Sequence, residues 1–305
     1  MNNEGIHLND PDRKSSRLQG VALASAGAIA FSGKAIIVKL AYRYDVDAVT
    51  LLMYRMLFAL PLFVGLCVYA SRGKPALTRR DWLTLIALGF CGYYLASFLD
   101  FMGLQYISAS LERLILYLNP TFVLVISMLL FKQHVSQRQW LALLASYLGI
   151  VVVFGHDVTT SGSHVVLGSL LVLGSAISYA LYLLYSGQVV KRLGALRITG
   201  ISSSVASILC VAQFFLLRPI GALHVAPQVI WLSLLNAIAC TFLPVLLVML
   251  AIERVGSNVT AQTGNIGPLS TILLSVLLLG EPFTIWIALG TALVLLGVYL
   301  LARWK

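Results

Sequence analysis

The sequence has few charged residues: Asp, Glu, Lys and Arg make up 10% of its 305 positions, whereas hydrophobic residues make up 59%. A soluble domain carries roughly 25% charged residues, so this composition excludes an ordinary soluble fold. The charges that are present lie between long uncharged stretches. The chain is therefore predicted to be an all-α polytopic membrane protein.

Cysteines, histidines and nucleotide-binding motifs are also scarce. The four cysteines stand singly in apolar stretches, and the five histidines lie in the N-terminal tail or in and beside connections. Neither set has the spacing of a metal site, a redox pair or a catalytic dyad, so we expect no metal, no cofactor and no enzyme activity. No G-x-x-x-x-G-K-[ST] stretch occurs, so any active transport is expected to use a gradient.

The sequence repeats itself at an interval of 148 residues, which brings Gly20 onto Gly168 and Pro120 onto Pro268. Each half then holds five apolar spans, and because five is odd, the second half must enter the bilayer from the opposite side. We predict ten transmembrane helices in two inverted five-helix repeats, with a substrate site between them that opens alternately to each side. The predicted units are a cytoplasmic tail 1–17 and the repeats 18–155 and 165–305.

Each predicted span is about 20 residues long, enough to cross the hydrocarbon as a helix. The spans fall near 19–41, 48–70, 82–104, 108–131, 137–154, 166–189, 197–217, 228–252, 257–279 and 284–302.

Lysine and arginine are concentrated in alternate connections. Fifteen lie at the termini and in the second, fourth, sixth and eighth connections, whereas the other connections offer only Arg43 and Arg218. Positive charge marks the cytoplasmic side, so both termini are predicted to be cytoplasmic, in the inner membrane. We therefore interpret the residues behind the net charge of +10 as signals that orient the protein in the membrane, and not as a nucleic-acid-binding surface. We expect a monomer or weak dimer in the lipid bilayer.

Two stretches resemble the signature of the EamA family, a branch of the drug/metabolite transporter superfamily. One is Gly-Glu-Pro at 280–282, followed by Gly290 and Gly-Val at 297–298; the other is 105–110, which runs into Asn-Pro-Thr at 119–121. The resemblance covers nearly the whole chain. It implies a ten-helix carrier or exporter of amino acids, other metabolites or drugs, with a central cavity lined chiefly by the third, fourth, eighth and ninth helices.

The first repeat departs from this pattern, because Lys132-Gln133 stands where the second repeat has Gly280-Glu281. Whatever the acidic residue does, only one repeat can do it. Next to Pro282, Glu281 is expected to be a helix-end feature.

Apart from Arg138 and Arg197 at the ends of their spans, charged residues within the predicted spans occur in the first half alone, and a charge within a bilayer costs roughly several kcal/mol unless it pairs or meets water. They are Lys34, Lys39, Arg55, Asp100, Glu112 and Arg113. The second half folds without charges at the matching positions, so a role in substrate binding or gating is favoured over a structural one. Four positive charges against two negative ones favour an anionic cargo, such as a carboxylate.

The alternative is that these charges neutralise one another, Asp100 with Arg55 and Glu112 with Arg113 or Lys39. Our leading hypothesis is instead that Lys34 and Arg113 contact the substrate. The two acids are also candidates to carry coupling protons if they are buried.

Two kinked helices provide further candidates. Pro120 and Pro268 lie inside apolar spans, where a proline removes a backbone donor and bends the helix. Asn119 directly precedes the first proline, and Asn265 lies three residues before the second. Such polar faces are expected to line a central cavity; the alternative for membrane Asn and Gln is hydrogen bonding between helices.

The predicted substrate-binding set joins the charged residues to polar and aromatic residues on the same helices. Its members are Lys34, Arg55, Tyr94, Asp100, Glu112, Arg113, Tyr117, Asn119, Gln262 and Asn265.

The function predicted from these features is secondary transport, in the export direction, of a small amphipathic metabolite such as an amino acid. A multidrug or cation exporter of the same fold is the main alternative, although it would require an anionic cavity. An intramembrane enzyme is less favoured because no catalytic dyad is present. A passive channel is a further alternative. A measurement of trans-stimulation distinguishes the two, since a carrier shows it and an open pore does not.

Overall fold

Long apolar stretches fold as helices because, away from water, a helix satisfies its own backbone N–H and C=O groups. The structure is a computed structural model that describes residues 11–132, 136–161, 164–263 and 266–303, and within these residues it contains helices and no strands. The helices are α1 (Pro11–Tyr42), α2 (Ala48–Ser71), α3 (Arg79–Leu104), α4 (109–131), α5 (Gln137–Ser161), α6 (His164–Leu193), α7 (Ala195–Leu217), α8 (227–263), α9 (Ile266–Leu279) and α10 (Ile285–Arg303).

Helices α1 to α8 each contain a stretch that is long and apolar enough to cross a membrane, and α9 and α10 are shorter apolar helices. One predicted boundary is wrong. The sequence places a connection near 253–256, but α8 stays helical as far as Thr263. Hydropathy marks where a helix leaves the hydrocarbon, and the backbone hydrogen bonds can continue beyond that point.

The two halves pack on each other through matching pairs of helices. Helix α1 packs on α8, α3 on α6, α2 on α7, and α5 on α10. A shift by the repeat interval exchanges α1 with α6 and α8 with α3, so the first two contacts are equivalent. The same shift exchanges α2 with α7 and α5 with α10, so each of these two contacts is equivalent to itself.

Close glycine contacts repeat this equivalence at single residues. A Cβ at Gly20 would lie 2.5 Å from Val255 Cγ1, and a Cβ at Gly168 would lie 2.7 Å from Ile107 Cγ2. The first pair lies between α1 and α8, and the second between α6 and the connection that follows α3; the two correspond to each other under the 148-residue shift. Glycine is required at both positions because the neighbouring helix leaves no room for a side chain.

Helices α2 and α7, the second helices of the two halves, run in opposite directions. At one end Arg218 Nε donates to Asp47, just before α2, at 3.0 Å. At the other end both terminal nitrogens of Arg197 donate to the carbonyl of Pro75, just after α2, at 3.0 and 3.1 Å. We name these two ends of the molecule after their connections, the 43–47 end and the 72–78 end.

Irregular turns interrupt several helices near their middle. Helix α3 has a π-helical segment at Gly89–Leu95, and α8 has one at Ile238–Phe242, within the matching positions of the repeat. Helix α4 is divided at Tyr117–Leu118, and Pro120 falls in the first turn of its second part. Such turns change which side chains face a neighbour, because they alter the number of residues per turn.

Glu281 links the two halves at the 43–47 end. Its carboxylate accepts hydrogen bonds from the backbone N–H of Ala109 at 2.8 Å and of Ser110 at 3.3 Å, and from Ser110 Oγ at 3.0 Å. The first N–H groups of a helix have no partner within the helix and carry a partial positive charge. The acidic residue of the Gly-Glu-Pro motif is therefore a cap on α4, a helix of the opposite half.

Candidate functional site

A cavity of about 310 Å³ lies among α1, α2, α3 and α4 of the first half and α6 and α8 of the second. This volume is at the lower end of the roughly 300–1,000 Å³ that small-molecule sites occupy. The lining includes six of the ten predicted substrate-binding residues: Lys34, Arg55, Asp100, Arg113, Tyr117 and Asn119.

Two carboxylates share the ammonium group of Lys34. Its Nζ lies 2.5 Å from Asp100 Oδ2 and 3.2 Å from Glu112 Oε1. All three residues are buried, and Glu112 is 0% exposed. In a low-dielectric interior the ammonium group is held firmly, because it compensates one buried negative charge and lies within ion-pair distance of a second.

These contacts differ from the charge pairs of the alternative interpretation. Neither Arg55 nor Arg113 forms an ion pair with Asp100 or Glu112 within 4 Å in the described part of the chain. Glu112 and Arg113 are consecutive in a helix, so their side chains point about 100° apart. The rotation of α1 instead brings Lys34 between α3 and α4.

Arg55 presents unused hydrogen-bond donors to the cavity. It is 5% exposed, and its Nε and Nη1 have no hydrogen-bond partner among the described residues. Its guanidinium carbon lies 5.0 Å from the centroid of the Phe101 ring, in a cation–π contact. A buried donor without a partner is costly, so Arg55 favours a ligand with acceptor oxygens.

Arg113 is the second such donor. Its Nε also lacks a hydrogen-bond partner in the described residues. Its Nη2 lies beside Gly267, where a Cβ would come within 2.5 Å of that nitrogen. The absence of a side chain at Gly267 on α9 therefore leaves room for the guanidinium group of Arg113.

The structure places Tyr94 outside the cavity, where it stacks on Phe98 with ring centroids 6.5 Å apart. Its neighbour Tyr93 lines the cavity instead and hydrogen-bonds to Tyr182 across a 3.1 Å O···O distance. The π-helical segment of α3 contains both tyrosines. At a spacing of seven residues Tyr93 shares a helix face with Asp100, so the sequence already contained a signal that favours Tyr93 over Tyr94.

The three remaining members of the predicted set are Glu112, Gln262 and Asn265. Glu112 reaches it only through Lys34. The side chain of Gln262 and all of Asn265 lie outside the described residues.

Lys39 lies apart from this site. Its Nζ donates to the carbonyls of Leu104 at 3.4 Å and Ile107 at 2.8 Å, at the carboxyl end of α3. There it lines a wider depression of about 680 Å³ at the 43–47 end, together with Arg43 and Glu281.

Asp47 borders the same depression and caps α2 by accepting hydrogen bonds from Val49 N at 2.9 Å and Thr50 N at 3.2 Å. Partial burial acts to raise the pKa of Asp47. Hydrogen bonds from Thr50 and the guanidinium of Arg218 outweigh that effect and hold the pKa below its ordinary value.

Several lining residues escaped the sequence analysis. Phe31 lies one helical turn from Lys34, Phe63 lies two turns from Arg55, and Tyr179 and Cys240 come from the second half. Because Phe31 and Phe63 lie at helical spacing from Lys34 and Arg55, that spacing is a sequence signal that could identify them. Nothing in the local sequence of α6 or α8 distinguishes the others from ordinary membrane-span residues.

The comparisons with known proteins agree with this architecture. The sequence pattern of the EamA-like transporter family matches residues 18–155 and again residues 166–303. The uncharacterized transporter YcbK of Bacillus subtilis (strain 168) is 27% identical over 269 residues, which cover 86% of each chain. The uncharacterized transporter YetK of the same organism is 24% identical over 287 residues, 92% of this chain and 86% of that protein.

A solved crystal structure shares 15% sequence identity with this chain and superimposes with a TM-score of 0.62, over 95% of this chain and 99% of the other. This likeness establishes the shared fold. With the family pattern present in both halves, this chain is a membrane transporter and belongs to the EamA-like transporter family.

Proposed function

We propose that this transporter is a secondary carrier that exports a small amphipathic metabolite with a carboxylate group, such as an amino acid. The observation that carries the proposal is the pair Arg55 and Arg113, whose N–H groups border the cavity without a hydrogen-bond partner among the described residues. A carboxylate offers two oxygens with the geometry that a guanidinium group binds best.

The balance of charge around the cavity supports an anion over a hydrophobic cation. Both acids of the cluster contact Lys34, so their negative charge is already shared with an ammonium group. Arg55 and Arg113 then leave the cluster with an excess of positive charge, which attracts an anion in a low-dielectric site.

The transport cycle that we propose is alternating access between two inverted repeats, with both termini on the cytoplasmic side of the inner membrane. The exchangeable helix contacts and the antiparallel arrangement of α2 and α7 support the inversion. The distribution of Lys and Arg supports the orientation. The export direction rests on the resemblance to the EamA family alone.

A thermal-shift screen of the purified full-length protein tests the choice of cargo. Amino acids and simple carboxylates are expected to raise the melting temperature, because a ligand that binds only the native state stabilises it. Arg55→Gln and Arg113→Gln are expected to abolish the effect, whereas Arg254→Gln, an exposed arginine outside the cavity, keeps it. Stabilisation by tetraphenylphosphonium and not by carboxylates would contradict the proposal.

We further propose protons as the coupling ion, with Glu112 as the carrier. Glu112 is fully buried, and neither of its oxygens accepts a hydrogen bond within the described residues. Its carboxylate and that of Asp100 both lie within ion-pair distance of the single ammonium group of Lys34. In proteoliposomes, Glu112→Gln should abolish uptake driven by a pH gradient but keep exchange of a stabilising carboxylate at equal pH. Loss of both activities, or of neither, contradicts this assignment.

A further inference from the structure

Charged and aromatic side chains follow the same order on all four first-half helices that border the cavity. On each helix one charged residue and one aromatic residue line it, and the charged residue lies nearer the 43–47 end. The pairs are Lys34 and Phe31 on α1, Arg55 and Phe63 on α2, Asp100 and Tyr93 on α3, and Arg113 and Tyr117 on α4.

The spacings within these pairs are 3, 8, 7 and 4 residues, which are the spacings that place two side chains on one face of a helix. At about 1.5 Å of rise per residue, the two members of a pair are separated along the helix axis by roughly 5–12 Å. The cavity therefore has two poles, a charged pole near the 43–47 end and an aromatic pole deeper in the molecule.

The second half adds Tyr179 of α6 to the lining. Tyr179 is the repeat counterpart of Phe31, so each half contributes one ring from the same position of its first helix. Tyr179 stacks on Tyr182 with centroids 5.5 Å apart, and Tyr93 meets Tyr182 edge-on at 5.0 Å. These contacts fix the rings that border the aromatic pole.

From this arrangement we propose that the cargo is an aromatic carboxylate, with its carboxylate on Arg55 and Arg113 and its ring at the aromatic pole. The inference rests on the proposed function, since it needs the carboxylate, and adds the chemistry of the other end. A separation of roughly 5–12 Å fits a ring joined to a carboxylate by a short chain. Aromatic side chains bind an aromatic ring better than an aliphatic one of the same size, because stacked and edge-to-face contacts add to the burial of apolar surface.

The test compares four probes by their concentration-dependent thermal shift on the full-length protein: phenylacetate, 3-phenylpropionate, cyclohexylacetate and benzylamine. We expect the phenyl acids to bind about two- to tenfold more tightly than cyclohexylacetate, and benzylamine not to stabilise the protein. Tyr179→Leu and Phe31→Leu should each reduce the preference for phenyl over cyclohexyl. Tyr94→Leu, which changes a tyrosine outside the cavity, should keep it.

The outcomes separate this inference from the proposed function. Equal stabilisation by phenylacetate and cyclohexylacetate would overturn the aromatic assignment and leave the carboxylate site in place. Stabilisation by benzylamine alone would overturn both. If Tyr179→Leu does not fold, Phe31→Leu decides, and an unchanged phenyl preference in that variant counts against the aromatic pole.

Discussion

At the scale of single residues, the buried charges of this protein depend on Lys34. Its ammonium group lies within ion-pair distance of two carboxylates, and the three side chains are not equally important for stability. Removing the ammonium leaves two buried acids without compensation, whereas removing one acid leaves an ion pair. The net effect of each substitution therefore follows from the charge that stays behind.

This reasoning predicts an order of stability among three variants. Lys34→Met should lower the free energy of unfolding most, by about 3–5 kcal/mol or more. Asp100→Asn should follow, because it removes the 2.5 Å contact. Glu112→Gln should have the smallest effect, since the shorter ion pair, Lys34–Asp100, remains. Thermal unfolding of the three variants in one detergent checks the order, and a Glu112→Gln variant less stable than Lys34→Met would contradict it.

Gly267 offers a second prediction at this scale. Gly267→Ala would place a Cβ 2.5 Å from Arg113 Nη2, which is the far end of a flexible side chain. The guanidinium group should move aside, so carboxylate affinity should fall by about tenfold, equivalent to roughly 1.4 kcal/mol, with little loss of stability.

Titration of a stabilising carboxylate, followed by thermal shift, measures the change in affinity. Gly65→Ala is the matched control, because no atom lies within 4 Å of a Cβ at that position. Unchanged affinity in Gly267→Ala would show that Arg113 does not need its observed position to bind.

At the scale of helices, small residues determine how closely the two halves approach. Hydrophobic burial drives little helix association inside a bilayer, so close packing of backbones is the main stabilising contact. The pair α5 and α10 illustrates this: a Cβ at Gly290 would lie 2.5 Å from the carbonyl oxygen of Gly149, and one at Gly149 would lie 2.6 Å from the carbonyl oxygen of Gly290. Because the obstacle is backbone, it cannot rotate away.

Gly290→Ala is therefore expected to force α5 and α10 apart and to destabilise the protein by about 1–3 kcal/mol, as overpacking does in other cores. Gly155→Ala on α5 is the control, since a Cβ at Gly155 meets nothing within 4 Å. Thermal unfolding measures both variants. Equal melting temperatures for the two would contradict the role of this glycine contact.

At the scale of the whole molecule, the two halves form a shared cavity that is chemically unequal. The helix contacts are exchanged by the repeat, yet the charged lining residues all come from the first half. Tyr182 occupies the repeat position of Lys34, and Ser203 that of Arg55. A symmetric scaffold can thus hold an oriented ligand, because the side chains around it differ between the halves.

The proposed inversion of the repeats predicts that equivalent connections lie on opposite sides of the membrane. Reporter domains inserted into 72–78, after α2, should be cytoplasmic, and those inserted into 218–226, after α7, should be extracytoplasmic. Green fluorescent protein and alkaline phosphatase fusions, which are active on opposite sides, provide the measurement. The same reporter active in both connections would exclude inversion of the repeats.

The sequence by itself determined the membrane class, the repeat and the charged residues around the cavity. These properties follow from local energetics: helix length from the thickness of the hydrocarbon, and candidate site residues from the cost of an ionisable group within it. Hydropathy could not place the end of α8, which remains helical past the predicted connection.

Only the tertiary structure decided which charges pair and which helix Glu281 caps. Each of these depends on how a helix is rotated and which neighbour it meets. Pairing across helices joins residues far apart in the chain, such as Lys34 and Asp100, and a π-helical segment shifts every side chain that follows it. No local pattern carries that information, because it arises when helices from both halves pack together.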